Sequence, residues 1–174
     1  METLCSSNLT CQEENNMRIG FASDIHRLVG GRKLMLGGVD VPHWQGELAH
    51  SDGDVVYHAL AESILGALAL GDLGSHFPDS DPQYKNIDSS ILVKHVVKMM
   101  DEKGYAVNNV DISITLQEPK LKPFIEQMRQ NIASLLNVDV DAISIKAGTN
   151  ENLDAVGMRL AVKAESIILL KEKE

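Results

Sequence analysis

The sequence has little cysteine, an excess of acidic over basic residues and no long apolar run, and each shortage excludes a class of protein. Both cysteines, Cys5 and Cys11, lie before residue 16, so no disulfide can hold the remaining chain, as is usual in a reducing cytosol. The 16 Lys and Arg against 25 Asp and Glu give a net charge of -9, which argues against nonspecific binding to nucleic acid. An acidic protein that binds phosphates needs a divalent cation or backbone donors.

Membrane and targeting signals are also lacking. The longest apolar run, residues 64–70, is about half the length of a membrane-spanning helix. Residues 1–16 contain no Lys or Arg and no apolar core, unlike a transit or signal peptide. We interpret them as a flexible tail and expect residues 17–174 to form a single domain. The expected location is therefore cytoplasmic, of the bacterial type, rather than the plastid.

Hydrophobic periodicity predicts helices and strands in interleaved order. The predicted strands are residues 17–21, 107–116, 142–147 and 159–170, with a hairpin over residues 32–42. The predicted helices are residues 52–70, 88–104 and 124–136. The expected fold class is an α/β (α+β) sandwich, in which a mixed four-stranded sheet carries three helices on one face, plus the small hairpin. Because residues 167–170 are apolar in succession, we expect a homo-oligomer to cover the other face.

Residues 49–58, Ala-His-Ser-Asp-Gly-Asp-Val-Val-Tyr-His, hold the highest density of reactive side chains. Ser51 is a natural helix N-cap, and Asp54 three positions later predicts a capping box. Backbone N–H groups and the positive dipole end at such a helix start favour an anion. His58 follows Asp54 by one helical turn. The stretch therefore combines a phosphate-sized site with a metal ligand, and we assign Asp54 to capping and to orienting the site rather than to ligation.

Two further segments carry candidate groups. Asp24 and His26 lie two residues apart in an extended segment, so their side chains point to the same face. They would bind one ion only if a third ligand came from elsewhere; alone, such a pair is more often a loop carboxylate and a surface histidine. Residues 71–82 predict a long polar loop. The large apolar Phe77 within it indicates a lid or ligand-facing role.

The order and spacing of these motifs resemble one enzyme family. Along the chain they are Asp24-x-His26, Ala49-His50-Ser51-Asp52-Gly53-Asp54 with His58, Gly71-Asp72-Leu73-Gly74 followed by Phe77-Pro78-Asp79, Pro119-Lys120, and Lys146-Ala147-x-Thr149-x-Glu151. Together they resemble the 2-C-methyl-D-erythritol 2,4-cyclodiphosphate synthase family over essentially the whole chain from Met17. Each motif alone is weak evidence, whereas the ordered set is highly specific.

The resemblance implies a homotrimeric lyase of the non-mevalonate isoprenoid pathway, with active sites between neighbouring subunits. The 2-phosphate of a CDP-linked methylerythritol attacks the β-phosphorus, an eight-membered cyclic diphosphate closes, and CMP leaves. Nucleophile and leaving group both belong to the substrate. The protein therefore has to fold a polyanion back on itself and neutralise the charge that develops at phosphorus.

The resemblance also implies the site residues. Asp24, His26 and His58 match zinc ligands, with a position left open for a phosphate oxygen. Glu151 matches the ligand of a magnesium or manganese ion that bridges the α- and β-phosphates, and His50 and Thr149 match residues that hold the pentavalent transition state. The implied substrate-binding residues are Asp24, His26, His50, Ser51, Asp72, Leu73, Gly74, Phe77, Pro78, Asp79, Ser80, Asp81, Leu116, Gln117, Glu118, Pro119, Lys120, Leu121, Lys122, Ala147, Gly148, Thr149, Asn150 and Glu151. Within this set the cytosine would lie between residues 116–122 and 147–149.

The sequence departs from the family pattern at several positions. Ala22 replaces a usual glycine and Gly148 a usual threonine. Ala155 and Met158 replace the phenylalanine and arginine of a tract that the family associates with an anion or isoprenoid-diphosphate site on the trimer axis. Two alternatives stay open on the residues alone: a related metal-dependent phosphohydrolase or nucleotidyl-releasing enzyme, and a non-catalytic trimeric module that binds a metal or a nucleotide.

Overall fold

The structure is a computed structural model that describes residues 16–78, 81 and 87–173. The predicted tail, apart from residue 16, and the predicted substrate contacts Asp79 and Ser80 lie outside the described residues. Among the described residues, no helix has the length and apolar content needed to cross a bilayer.

The strands form one large mixed sheet and one hairpin. They are β1 (Met17–Gly30), β2 (Leu34–Leu36), β3 (Val39–Val41), β4 (Gln45–Leu48), β5 (Tyr105–Thr115), β6 (Ile143–Gly148) and β7 (Ala161–Glu172). The large sheet has the order β4-β1-β7-β5-β6. Its β5–β6 pair is parallel and its other pairs are antiparallel. Strands β2 and β3 form the predicted hairpin.

The prediction of a four-stranded sheet was wrong, because the described sheet has five strands. The additional strand, β4, is the four-residue sequence Gln-Gly-Glu-Leu. Its inward-facing residues, Gln45 and Glu47, are polar although they are buried. The strand therefore lacks the alternation of apolar and polar residues by which a strand is predicted. The first predicted strand also continues past residue 21 to Gly30, because pairing with β7 extends to Arg27 and pairing with β4 follows.

The helices are α1 (Val55–Ala67), α2 (Leu73–His76), α3 (Ser89–Glu102), α4 (Ile125–Leu136) and α5 (Asp154–Gly157), with a 3₁₀ turn at Val140–Ala142. The three long helices, α1, α3 and α4, confirm the predicted ones. The prediction of Ser51 as N-cap was wrong: Asp54 caps α1 by accepting from the N–H groups of Val56 and Tyr57. The positive φ of Gly53, 90°, reverses the chain between Ser51 and the helix.

The long helices lie on one face of the large sheet, with α1 directly against β1. Gly20 makes this approach possible, because a Cβ there would lie 1.9 Å from the carbonyl oxygen of Ser63. The largest fully buried side chains lie between these layers and include Leu60, Ile64, Ile112 and Ile168. The opposite face of the sheet stays open in the single chain. Its exposed apolar side chains are Met17, Ile19, Phe21, Ile25 and Ile167.

Candidate active site

Strand β1 and helix α1 bring together the three predicted metal ligands. Asp24 and His26 lie on the side of β1 that faces α1, and His58 lies in the first turn of that helix. Asp24 Oδ2 is 3.1 Å from His26 Nε2 and 3.3 Å from His58 Nδ1, and the two histidine nitrogens are 3.4 Å apart. The third ligand that the Asp24–His26 pair required therefore comes from α1.

This triangle of donor atoms suits a divalent cation. Ligand atoms about 2.1 Å from a tetrahedral zinc ion are about 3.4 Å apart, close to the three distances observed. One carboxylate and two imidazoles leave a fourth position open. Within the described residues, no other group of three or more His, Cys, Asp or Glu side chains has ligand atoms that all lie within 4.8 Å of one another.

Without a cation, protons hold the same three side chains together. Burial alone would raise the pKa of Asp24, but hydrogen bonds to His26 and His58 hold it well below its usual range. Burial alone would lower the pKa of His26, yet hydrogen bonds to Asp24 and Glu47 raise it to about 10. A divalent cation would take the place of these protons, so binding should release protons.

A second layer of polar groups orients both histidines. Glu47 Oε2 and the Gly53 carbonyl oxygen each lie 2.7 Å from His26 Nδ1. The hydroxyl oxygens of Ser89 and Ser51 lie 3.0 and 3.2 Å from His58 Nε2. The outward-facing nitrogens are thereby engaged, which directs the other nitrogen of each ring towards the cation position.

Sequence reasoning missed Glu47 and Ser89. A buried glutamate in a four-residue strand gives no periodic signal, and Ser89 is distant in sequence from His58. Only its position at the start of α3, beside the cap Asp88, could have drawn attention to Ser89.

Asp54 joins the helix to the hairpin, in agreement with its predicted capping role. Its Oδ1 accepts from the N–H groups of Val56, Tyr57 and Gly37, at 3.1, 3.0 and 2.9 Å. Its Oδ2 accepts from the N–H of Gly38 at 2.7 Å. The carboxylate is fully buried, so the start of α1 cannot shift without breaking these four bonds.

A first cavity of about 410 Å³ opens over the metal ligands. The predicted site residues in its lining are Asp24, His26, His50, Ser51, His58, Leu73, Gly74 and Phe77. The Nε2 of His50 is buried and has no hydrogen-bond partner among the described residues. Asp72, Pro78 and Asp81 lie outside this lining; Asp72 instead caps α2 by accepting from Ser75.

A second cavity of about 380 Å³ collects most of the predicted nucleotide contacts. Those in its lining are Leu116, Gln117, Pro119, Lys120, Leu121, Lys122, Ala147, Gly148 and Thr149. Glu118, Asn150 and Glu151 lie beside this lining. Glu118 pairs with Arg159 at 2.9 Å, Asn150 donates to the Leu153 carbonyl, and Glu151 accepts from the Thr149 hydroxyl at 2.8 Å.

The segment that follows Thr149 has several residues with positive φ angles. Glu151, Asn152, Asp154 and Arg159 all have φ between 50° and 63°, which costs energy for residues other than glycine. Two features hold it: the Gln117 side chain bonds to both the backbone and the side chain of Asn152, and a Cβ on Gly157 would lie 2.3 Å from the Asn152 carbonyl carbon. The tight packing fixes the position of Glu151.

The two cavities lie towards opposite edges of the large sheet. The first lies beside β4 and β1, and the second at the ends of β5 and β6, with β7 between β1 and β5. His50 and Thr149 consequently lie in different cavities. A single chain thus carries two separate parts of the predicted site, and does not bring its two predicted catalytic residues together.

Three comparisons with known proteins each match about nine tenths of this chain. A model of the YgbB family matches residues 17–171. The chain is 51% identical over 156 residues to the 2-C-methyl-D-erythritol 2,4-cyclodiphosphate synthase of Chloroherpeton thalassium, covering 90% of this chain and 99% of that one. It is 52% identical over 157 residues to the synthase of that name from Geobacter metallireducens, covering 90% and 100%. The solved structure of IspF from Plasmodium falciparum, a CDP complex, has a TM-score of 0.81 at 36% identity and covers 92% and 99%.

Proposed function

The chain belongs to the YgbB family, the family of its 2-C-methyl-D-erythritol 2,4-cyclodiphosphate synthase relatives, and on that premise we infer that it catalyses their reaction. It converts 4-CDP-2-C-methyl-D-erythritol 2-phosphate to 2-C-methyl-D-erythritol 2,4-cyclodiphosphate with release of CMP, in the non-mevalonate isoprenoid pathway. We propose that residues 17–174 act as one catalytic domain. The bacterial relatives support a cytoplasmic location.

The observation that carries this proposal is the pairing of a metal-ligand triangle with the unpartnered nitrogen of His50 in one cavity. The second cavity is suited to the cytidine, because it is apolar apart from a few polar groups and two lysines. The similar Plasmodium falciparum structure is a CDP complex, which supports a cytidine nucleotide as its ligand.

We propose a homotrimer in which the first cavity of one subunit faces the second cavity of its neighbour. The separation of His50 from Thr149 within one chain supports this assembly. So does the open sheet face, where Ile19 and Phe21 are 71% and 59% exposed. Contiguous exposed apolar surface of this kind marks an interaction site.

The residues of this chain bind and orient the substrate. His50, Ser51 and the start of α1 hold the phosphates, and Asp72 and Gly74 hold the ribose hydroxyls. Leu73 and Phe77 line the methylerythritol pocket, and residues 116–122 with Ala147, Gly148 and Thr149 hold the nucleotide. Thr149 and His50 steady the phosphorus centre as the 2-phosphate oxygen bonds to it and the bond to CMP breaks. This arrangement accelerates the reaction by positioning and charge complementarity, since both reacting groups belong to one molecule.

Two divalent cations complete the proposed site. When bound, zinc at Asp24, His26 and His58 and magnesium or manganese at Glu151 supply Lewis-acid neutralisation of the phosphate charge. The hydrogen bond that Glu151 accepts from Thr149 supports this role, because it holds the carboxylate next to the proposed phosphate contact.

The direct test is to incubate the purified protein with CDP-methylerythritol 2-phosphate, zinc and magnesium, and to identify the products by ³¹P NMR. We expect CMP and the cyclic diphosphate in equal amounts. CMP with a linear product would instead indicate a phosphohydrolase. Tight CDP binding without turnover would indicate a binding module.

A further inference from the structure

Glu47 lies directly behind a proposed metal ligand, and the proposed function assigns no role to it. Its side chain is 0% exposed. Its Oε2 lies 2.7 Å from His26 Nδ1 and accepts from the Val55 N–H at 3.1 Å. Because the Gly53 carbonyl lies equally close to the same nitrogen, both neighbours of Nδ1 are acceptors. When His26 is neutral, Nδ1 therefore keeps the proton, and Nε2 is the nitrogen left to bind a cation beside Asp24 and His58.

Glu47 is poorly satisfied as a structural residue. Its Oε1 is buried and has no hydrogen-bond partner within the described part of the chain. A buried carboxylate oxygen without a partner opposes folding.

The Gly53 carbonyl alone could fix the tautomer of His26, so a buried glutamate at this position calls for a further reason, which is its carboxylate contact with the ring. The turn holds Gly53 close to Glu47, because a Cβ on Gly53 would lie 2.8 Å from Glu47 Cβ. A carboxylate that accepts from a ligating histidine orients the ring and makes its other nitrogen a stronger donor to a metal.

We propose that Glu47 is a positioning residue for the metal site, which holds His26 in its ligating orientation and strengthens its bond to a divalent cation. The proposal rests on the metal site of the proposed function. It assigns to this chain a buried Glu–His–metal relay in which Glu47 touches neither the substrate nor the cation.

The test is the zinc affinity of the full-length protein, measured by competition with a chromophoric chelator, for wild type, Glu47→Leu and Glu47→Gln. We expect Glu47→Leu to bind zinc about 10- to 100-fold more weakly. Glu126→Gln is the control. Glu126 is exposed in α4 and pairs with Arg129 at 2.8 Å, and α4 carries none of the proposed metal ligands, so the zinc affinity of this variant should equal that of wild type.

The outcomes distinguish the role of Glu47 from the existence of the metal site. Wild-type zinc affinity in Glu47→Leu would overturn the role of Glu47 alone. Failure of the wild type to bind zinc would overturn the proposed metal site as well. If Glu47→Leu does not fold, Glu47→Gln decides: we expect weaker zinc binding and an upfield shift of the His26 Nδ1 proton in the zinc-loaded protein. An unchanged affinity and resonance would contradict the proposal.

Discussion

The two cavities are made rigid in different ways. In the first, buried carboxylates hold the reactive side chains: Asp54 accepts four backbone N–H bonds, and Glu47 contacts His26. In the second, the backbone itself is constrained, with Glu151 and Asn152 in the left-handed region. The difference suggests that a metal site needs fixed side-chain atoms, whereas a nucleotide pocket needs a fixed loop. Substitutions should accordingly damage the two cavities by different mechanisms.

The largest effect is expected from His58→Ala, which removes one corner of the donor triangle. We expect loss of bound zinc and a fall in kcat of more than the 10- to 100-fold typical of residues behind a ligand, with the trimer intact by light scattering. The affinity for cytidine should hardly change, because the second cavity is untouched. Activity equal to wild type would refute the metal assignment. His43→Ala, whose ring stacks near Trp44, is the control.

Asp54→Ala tests whether buried carboxylates stabilise the first cavity. It removes the α1 cap, worth about 1 kcal/mol, and leaves the buried Gly37 N–H unpaired at about 1–3 kcal/mol, whereas the N–H of the exposed Gly38 can turn to water. We expect the free energy of unfolding to fall by about 2–4 kcal/mol in urea denaturation. Asp88→Ala, at the exposed cap of α3 with one backbone bond, should cost only about 1 kcal/mol. Equal losses in the two variants would contradict the contrast.

Gly157→Ala tests the constrained loop of the second cavity. The added Cβ would lie 2.3 Å from Asn152, so the loop must shift, at a cost of about 1–3 kcal/mol. We expect KM and the Kd for CDP to rise several-fold while zinc affinity stays unchanged. In Gly66→Ala, within α1, the Cβ would meet only the Phe21 carbonyl oxygen, at 3.9 Å, and CDP binding should be retained. A loss of zinc binding in Gly157→Ala would show that the two cavities are not independent within one chain.

The smallest effect is expected at an ion pair between Asp111 of β5 and Lys146 of β6. A hydrogen bond to Lys146 lowers the pKa of Asp111, so the pair stabilises the fold above the ordinary carboxyl pKa and this contribution is lost as the pH falls through the lowered value. Because the pair is exposed, Asp111→Asn should cost under about 1 kcal/mol at pH 7. Thermal melts of the two proteins should converge in acid. A difference that grew in acid would contradict the sign of this shift.

The sequence predicted the long elements because their apolar residues repeat with clear periods. The helices α3 and α4 and the strands β5, β6 and β7 lie within about two residues of their predicted bounds. The metal ligands were also predicted, but through a resemblance, since Asp24 and His26 interrupt the apolar alternation of β1.

The errors have physical causes. The buried side chains of strand β4, Gln45 and Glu47, are polar, and Glu47 contacts His26 and the Val55 N–H rather than apolar side chains. The cap of α1 moved from Ser51 to Asp54 because the Gly53 turn separates Ser51 from the helix. Glu47 and Ser89 escaped notice because their importance depends on contacts with His26 and His58 that are distant in sequence.

The claim that two subunits complete one site is tested most directly by complementation. His50→Ala damages only the first cavity and Thr149→Ala only the second, so each variant alone should be inactive. When the two are mixed in equal amounts and their subunits exchange, as verified by native mass spectrometry, about a quarter of the interfaces in a cyclic trimer carry two intact halves. We expect activity to recover to about a quarter of the wild-type value. Mixed trimers that stay inactive would contradict a site shared between subunits.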